Sequence, residues 1–306
     1  MRHAPSGRRV LGLGLTLVTV CSWGLLPIML KFLLGGLDAY TLTWYRFGIA
    51  ACLLGFYVGL RQGFRVFLSL TRTGALLAII CIVGATGNYT TFLLGLEYLS
   101  PGGAQILIQT VLVMTLLGGL VFFHESFSRR QWIGLAVLII GIALFFNTRY
   151  DNLFVGSNLV LGIFWILVSA LMAAGYALAQ KQLLQSLSAE RILLLLYLFG
   201  CLLLLPFAQP SQGLALSRFQ IGMLVLSSVI TLVSYVCYAN AMNHIEISQI
   251  SMVLPLNPLV TVTVMTVLTF LYPGFVVPES LNVLSWIGAG LVVVGSTLGV
   301  RRSSNI

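Results

Sequence analysis

Ten stretches of mostly apolar residues follow one another along this chain of 306 residues, and each approaches the length of a membrane-spanning helix. Roughly 20 helical residues cross the hydrocarbon core of a bilayer. Helices are expected because a spanning segment must satisfy its own backbone hydrogen bonds, and barrel strands would be shorter and alternate polar with apolar residues. The predicted spans are residues 10–30, 39–60, 74–95, 102–123, 132–146, 158–180, 191–208, 219–242, 249–271 and 285–300.

The composition excludes a soluble protein and argues against nucleic acid as a partner. Hydrophobic residues make up 59% of the chain and charged residues only 8%, whereas a soluble domain carries about 25% charged residues. The net charge is +9, but Lys and Arg stand singly or in pairs between the apolar stretches instead of clustering as in nucleic-acid binders. We therefore expect a lipid bilayer around the chain.

The loop charges predict the orientation of the chain. If the N-terminus is cytoplasmic, twelve Lys and Arg residues fall in cytoplasmic loops or termini, and only Lys31, Arg149 and Arg218 fall outside. This bias is the positive-inside pattern. We therefore predict that both termini are cytoplasmic.

An internal repeat divides the chain into two halves. Residues 125–141 carry Glu-Ser, then Trp-Ile-Gly and then a glycine, and residues 279–295 repeat these residues at the same spacings. Tyr89 likewise matches Tyr235, 146 positions further on. Five helices per repeat is an odd number, so the halves would have opposite orientation, as in many secondary transporters. The predicted repeats are residues 1–148 and 149–306, forming one structural unit.

Several short motifs stand in a fixed order along the chain. They are Ser22-Trp23-Gly24 with Pro27 and Lys31, Tyr45-Arg46-Phe47, Leu99-Ser100-Pro101-Gly102, Glu125 with Trp132-Ile133-Gly134 and Gly141, Leu256-Asn257-Pro258, and Glu279 with Trp286-Ile287-Gly288 and Gly295. Together they resemble the drug/metabolite transporter superfamily, specifically its ten-helix EamA-type members. One departure is Leu112, which stands where a proline opposite Pro258 is expected, so the fourth helix is predicted to be straighter than the ninth.

The resemblance implies a bacterial inner-membrane protein that exports small metabolites, often amino acids. Whether the protein is a monomer or a homodimer stays open. The resemblance also implies a central cavity lined by helices 1–4 and 6–9, with helices 5 and 10 as peripheral supports.

Ionisable residues are almost absent from the predicted spans. All seven acids lie in loops or at span ends, and Arg46 is the one charge well inside a span, roughly 10 Å from its outer end. A buried Arg is costly unless it is paired, solvated or snorkelling. Two interpretations stay open: Arg46 binds a carboxylate in a water-filled cavity, or it snorkels or bonds a carbonyl and fixes helix two.

Polar and aromatic side chains recur at helical spacing inside the spans, and they are the predicted substrate-binding residues. Such groups suit a small-ligand site, although hydrogen bonds between helices, worth about 0.6 kcal/mol each, are the alternative. The predicted residues are Trp23, Arg46, Asn88, Tyr89, Gln105, Gln109, Tyr176, Gln180, Tyr235, Tyr238 and Asn257.

These features predict a secondary transporter that exports amino acids or related zwitterions and carboxylates by alternating access. The alternatives are an efflux pump for cationic drugs, which the absence of a central carboxylate argues against, and a membrane enzyme. Neither a phosphate-binding loop nor paired metal ligands occur in the sequence, so no catalytic residue, metal or cofactor is expected.

The orientation is testable with a reporter between the two halves. A topology reporter fused within residues 148–157 is expected to read periplasmic, because an odd number of spans precedes it. A cytoplasmic signal there would contradict both the charge argument and the inverted repeat.

Overall fold

The computed structural model describes residues 8–62, 72–123, 129–147, 158–184, 186–245, 250, 253–272 and 281–300. Within these ranges every regular element is a helix. The α-helices are α1 (Arg9–Leu33), α2 (Ala39–Gln62), α3 (Arg72–Tyr98), α4 (Pro101–Leu107), α5 (Thr110–Phe123), α6 (Arg129–Phe145), α7 (Asn158–Leu183), α8 (Ala189–Leu204), α9 (Arg218–His244), α10 (Asn257–Leu271) and α11 (Val283–Val300). Two 3-10 helices, Pro210–Ala215 and Leu254–Leu256, complete the set.

The predicted all-helical membrane fold is confirmed, and helix lies at each of the ten predicted spans. Within the described ranges, six segments are long and apolar enough to cross a membrane on their own: α1, α2, α3, α7, α9 and the stretch Leu254–Leu271. The exact number of crossings stays a prediction. Both chain ends, residues 148–157 and the Glu-Ser pairs at 125–126 and 279–280 lie outside the described residues.

Local caps explain where helices begin. The carboxylate of Asp38 accepts hydrogen bonds from the backbone nitrogens of Tyr40 and Thr41, at 2.8 and 2.9 Å, at the start of α2. Ser217 and Gln220 form a reciprocal capping box at the start of α9. Such caps satisfy N–H groups that have no partner inside the helix.

The packing of the helices follows a pseudo-two-fold symmetry. Two pairs, α6 with α11 and α2 with α8, join equivalent helices of the two halves. The other main contacts come in matching pairs. The third span of each half packs on the first span of the other half, as α3 on α7 and as α9 on α1. The fourth and ninth spans likewise pack through α5 on α7 and through α10 on α1. The contact of α2 with α9 likewise matches that of α8 with α3. The sequence repeat is therefore also a structural repeat.

The glycines of the repeated motif form the contact between α6 and α11. A Cβ on Gly288 would lie 2.7 Å from the carbonyl oxygen of Gly141, and a Cβ on Gly295 would lie 2.7 Å from that of Gly134. Small residues let helix backbones approach this closely in membranes. The order of contacts runs in opposite directions along the two helices, so α6 and α11 are antiparallel, as an inverted repeat requires.

The expectation of a straighter fourth span is wrong. Helix α4 ends at Leu107 and α5 starts at Thr110, with the backbone nitrogen of Gln109 bonded to the carbonyl of Ile106 at 3.2 Å. The hydroxyl of Thr110 donates to the Leu107 carbonyl at 2.8 Å and so compensates the interruption. The fourth span is thus interrupted without a proline, and its backbone hydrogen bonds there join residues three apart instead of four.

The ninth span is interrupted at the equivalent place. The 3-10 helix Leu254–Leu256 precedes α10 and contains Pro255, which lies 146 positions after Gln109. Both halves therefore carry a discontinuous helix, a common feature of substrate sites in secondary transporters.

The glycine contact predicts a position-specific loss of stability. Gly288→Val should lower the melting temperature of the purified protein, because the new side chain meets backbone atoms of α6 and overpacking costs about 1–3 kcal/mol. Gly290→Val is the matched control, since no atom lies within 4 Å of a Cβ there. Equal melting temperatures for the two variants, measured by thermal unfolding in detergent, would contradict the close approach.

Candidate functional site

A cavity of about 290 Å³ lies between the two halves, beside both interrupted helices. Its wall is formed by residues of α1, α2, α3, α7 and α9, together with residues in and beside the breaks of the fourth and ninth spans. They are Trp23, Leu26, Pro27, Leu30, Arg46, Asn88, Tyr89, Phe92, Gln105, Ile108, Gln109, Val111, Leu112, Ala173, Tyr235, Leu254, Pro255 and Asn257. The lining is mostly apolar with a few polar groups, as is usual for small-molecule sites.

Most of the predicted binding residues lie on this wall, and three do not. Those on the wall are Trp23, Arg46, Asn88, Tyr89, Gln105, Gln109, Tyr235 and Asn257. Tyr238 instead packs on Trp23, with ring centroids 5.7 Å apart. Tyr176 lies against Gly84 of α3 and interacts with Gln180. These three side chains contribute to contacts behind the cavity wall.

Arg46 is buried on the cavity wall with 3% of its surface exposed. Its Nη2 donates to Thr231 Oγ1 at 2.7 Å, and its Cζ lies 5.5 Å from the ring centroid of Tyr89, within cation–π range. The titratable groups around it are the phenols of Tyr89, Tyr197 and Tyr235. In the part of the chain that the structure describes, Arg46 has no carboxylate partner and bonds no carbonyl, and it does not snorkel to the interface.

Trp23 and Tyr235 form an aromatic side of the cavity. Their ring centroids are 5.4 Å apart. The indole nitrogen of Trp23 donates to Ser234 Oγ at 2.9 Å, which fixes the ring orientation. The hydroxyl of Tyr235 interacts with that of Tyr89 across the cavity.

Three small polar residues that sequence reasoning missed hold these side chains in place. Besides Thr231 and Ser234, Ser169 accepts a hydrogen bond from Asn88 Nδ2 at 2.9 Å. The repeat offered a signal for two of these residues. Ser234 lies 146 positions after Asn88, and Ser169 lies 150 positions after Thr19. The hydroxyl of Thr19 in turn donates to the Ser234 carbonyl at 3.2 Å. The contact between the third helix of one half and the first helix of the other thus occurs twice, as Asn88 with Ser169 and as Ser234 with Thr19.

Three side-chain amides lie at the helix breaks. Gln105, Gln109 and Asn257 are buried from the outer surface and line the cavity. Close approach of α10 to α1 places Asn257 there, since the hydroxyl of Thr261 donates to the Gly24 carbonyl at 2.7 Å. Among the described residues, the Asn257 Oδ1 atom has no hydrogen-bond partner. These amides are available to a ligand.

Hydrogen bonds close the bundle at the end where α1 stops. Lys31 Nζ donates to the carbonyls of Leu96 and Glu97 at the end of α3, at 2.5 and 2.8 Å. Tyr45 Oη donates to the carbonyl of Pro210, in the 3-10 helix between α8 and α9, at 2.7 Å. Lys31 therefore caps the C-terminal end of α3.

Comparison with known proteins agrees with this architecture. The EamA-like transporter family matches the chain twice, over residues 10–147 and 160–301. An uncharacterized transporter of Haemophilus influenzae is 35% identical, covering 94% of each chain. The uncharacterized inner membrane transporter YhbE of Escherichia coli K12 is 32% identical, covering 94% of this chain and 90% of its own. A solved crystal structure of a protein shares the fold of this chain at a TM-score of 0.63. Its sequence is 15% identical, and the match covers 95% of this chain and 97% of the other. The chain is a membrane transporter that belongs to the EamA-like family.

Proposed function

We propose that this transporter exports zwitterionic amino acids and related small carboxylates across the bacterial inner membrane, through the central cavity. The observation that carries the proposal is the buried guanidinium of Arg46, which lines the cavity and has no acidic partner among the described residues. A cation in this environment attracts an anionic group strongly, because burial weakens the screening of charge. A substrate carboxylate supplies the missing partner.

The surroundings of Arg46 favour a carboxylate further. Helices α5 and α10 both begin at the breaks beside the cavity, and the N-terminal end of a helix carries a partial positive charge. Discontinuous helices in other transporters direct such ends at anionic substrate groups. The described cavity wall contains no Asp or Glu, so we expect its potential to be neutral to positive.

The remaining groups suit the other parts of an amino acid. The amide oxygens of Gln105 and Asn257 can accept hydrogen bonds from an ammonium group. Trp23, Tyr89 and Tyr235 offer aromatic surface to an apolar side chain. The volume of about 290 Å³ is at the small end of the range of roughly 300–1,000 Å³ for ligand pockets, which favours metabolites over large drugs.

The inverted repeat supports alternating access as the mechanism. Rocking one half against the other around a fixed site would open the cavity first to one side and then to the other. The hydrogen bonds of Lys31 and Tyr45 connect neighbouring helices at the end of the bundle where α1 stops. With both termini cytoplasmic, as the loop charges predict, that end is periplasmic, and its opening would release an exported substrate.

The substrate class is tested with counterflow in proteoliposomes. Amino acids and small organic carboxylates should be exchanged, whereas lipophilic permanent cations should not, because the cavity offers them no compensating negative charge. Robust flux of a tetraalkylammonium ion without amino-acid flux would contradict the proposal and favour a cation efflux pump.

A second prediction concerns Arg46. Arg46→Gln should lower kcat/KM for a carboxylate substrate by about 10-fold or more, since each 1.4 kcal/mol of lost interaction corresponds to a factor of ten. Arg46→Lys should retain part of the activity. The control is Phe56→Leu on the same helix, whose side chain is 72% exposed. Unchanged carboxylate transport by Arg46→Gln, at equal membrane abundance, would remove Arg46 from the site.

A further inference from the structure

One hydrogen bond beside the cavity joins the two halves of the protein and involves the buried guanidinium. Arg46 Nη2 of α2 donates to Thr231 Oγ1 of α9 at 2.7 Å. Thr231 is 4% exposed, and the described cavity wall includes Arg46 but not Thr231. Thr231 therefore influences a ligand in the cavity through Arg46 and not by touching it.

The hydroxyl of Thr231 is fixed as a hydrogen-bond acceptor. Its own proton is donated to the carbonyl of Ser227, one turn earlier in α9, at 2.8 Å. A hydroxyl has one proton to donate and two lone pairs that accept, so the lone pairs are what it offers to the guanidinium. The bond to Ser227 also selects one rotamer of the threonine side chain. The acceptor for Arg46 thus has a defined position on α9.

Two uncharged groups from different helices hold the guanidinium. The ring centroid of Tyr89, on α3, lies 5.5 Å from Arg46 Cζ, and Thr231 binds Nη2 from the opposite half. These contacts order the arginine side chain without neutralising its charge. An ordered side chain loses less conformational freedom when it binds a ligand, and this favours affinity.

The internal repeat accounts for neither member of this pair. By the shift of 146 residues that relates Tyr89 to Tyr235, Thr231 corresponds to Ala85 of α3, which has no hydroxyl. The helix equivalent to α2 likewise has no charged residue after its first turn. The charge and the hydroxyl that holds it therefore both depart from the repeat, and they do so in contact with each other.

We propose that Thr231 is a positioning residue for substrate recognition: its hydroxyl orients the Arg46 guanidinium at the cavity wall and thereby sets the affinity for a carboxylate. This inference rests on the proposed function, in which Arg46 binds the carboxylate of the substrate. Because Arg46 belongs to the first half and Thr231 to the second, the carboxylate site needs groups from both halves.

The experiment measures counterflow by the full-length protein in proteoliposomes, with L-alanine, L-phenylalanine and lactate as probes. Thr231→Val has a similar volume but lacks the acceptor. It should raise KM for the probes that the unmodified protein exchanges by about 3- to 10-fold, the factor for the loss of one hydrogen bond. The value of kcat should stay within about 2-fold, because a loss of uniform binding changes KM alone. Thr231→Ser retains the hydroxyl and should restore KM.

Two further variants separate positioning from packing. Ser228→Ala removes a buried hydroxyl of the same helix, which donates to the Leu224 carbonyl at 2.8 Å, and it should leave KM unchanged. In an Arg46→Gln background, Thr231→Val should change KM by less than about 2-fold, because effects that pass through one contact are not additive. If Thr231→Val fails to fold, Thr231→Ala replaces it, since alanine is the residue at the equivalent position of the other half.

The outcomes distinguish this inference from the proposed function. An unchanged KM in Thr231→Val, with flux of a probe by the unmodified protein, would overturn the role of Thr231 and leave the proposed function intact. An equal rise of KM with and without Arg46 would also overturn it, because the threonine would then act through packing. If the unmodified protein exchanges none of the three probes, the proposed function itself fails and this inference fails with it.

Discussion

No water solvates the hydrocarbon core of a bilayer, so an interrupted helix at that depth needs other partners for its backbone. This chain interrupts helices beside its cavity in both halves, at Ile108–Gln109 and at Leu254–Leu256. The first break is compensated by the Thr110 hydroxyl and by tightened hydrogen bonds. Gln109 lies at the first break and Asn257 directly follows the second, and the amides of both residues line the cavity. The polar character of the cavity thus depends on where the backbone leaves the α-helical path.

The two halves share a backbone arrangement but differ in charge. Arg46 lies deep in α2, whereas the equivalent helix α8 has no charged residue after Arg191 in its first turn. The guanidinium is held by Thr231 of the opposite half and by the ring of Tyr89. A symmetric scaffold therefore presents an asymmetric electrostatic environment, which would give the proposed substrate one orientation instead of two.

The sequence predicted the spans and the repeat, because lipid imposes a strong and local hydropathy pattern, and it predicted eight of the eighteen residues on the described cavity wall. It did not predict the break at Gln109, since no proline marks it and the deciding hydrogen bond comes from Thr110. Helical spacing identified Tyr176 of α7 and Tyr238 of α9 as polar positions inside spans. It cannot show which neighbouring helix covers each of them. Ser169 was missed because small hydroxyl residues are common in membrane helices and their partners are far apart in sequence.

The glycine contact between α6 and α11 has the geometry of an isologous interface. Gly134 contacts Gly295, and Gly141 contacts Gly288. In the repeat, Gly288 is the counterpart of Gly134, and Gly295 is the counterpart of Gly141. Such self-complementarity normally occurs between two copies of a chain in a C2 dimer. Here one polypeptide contains both copies, so a substitution alters one side of the interface and not both. Covalent fusion of the halves therefore allows a residue such as Arg46 to exist once per cavity, which no symmetric homodimer of identical halves could achieve.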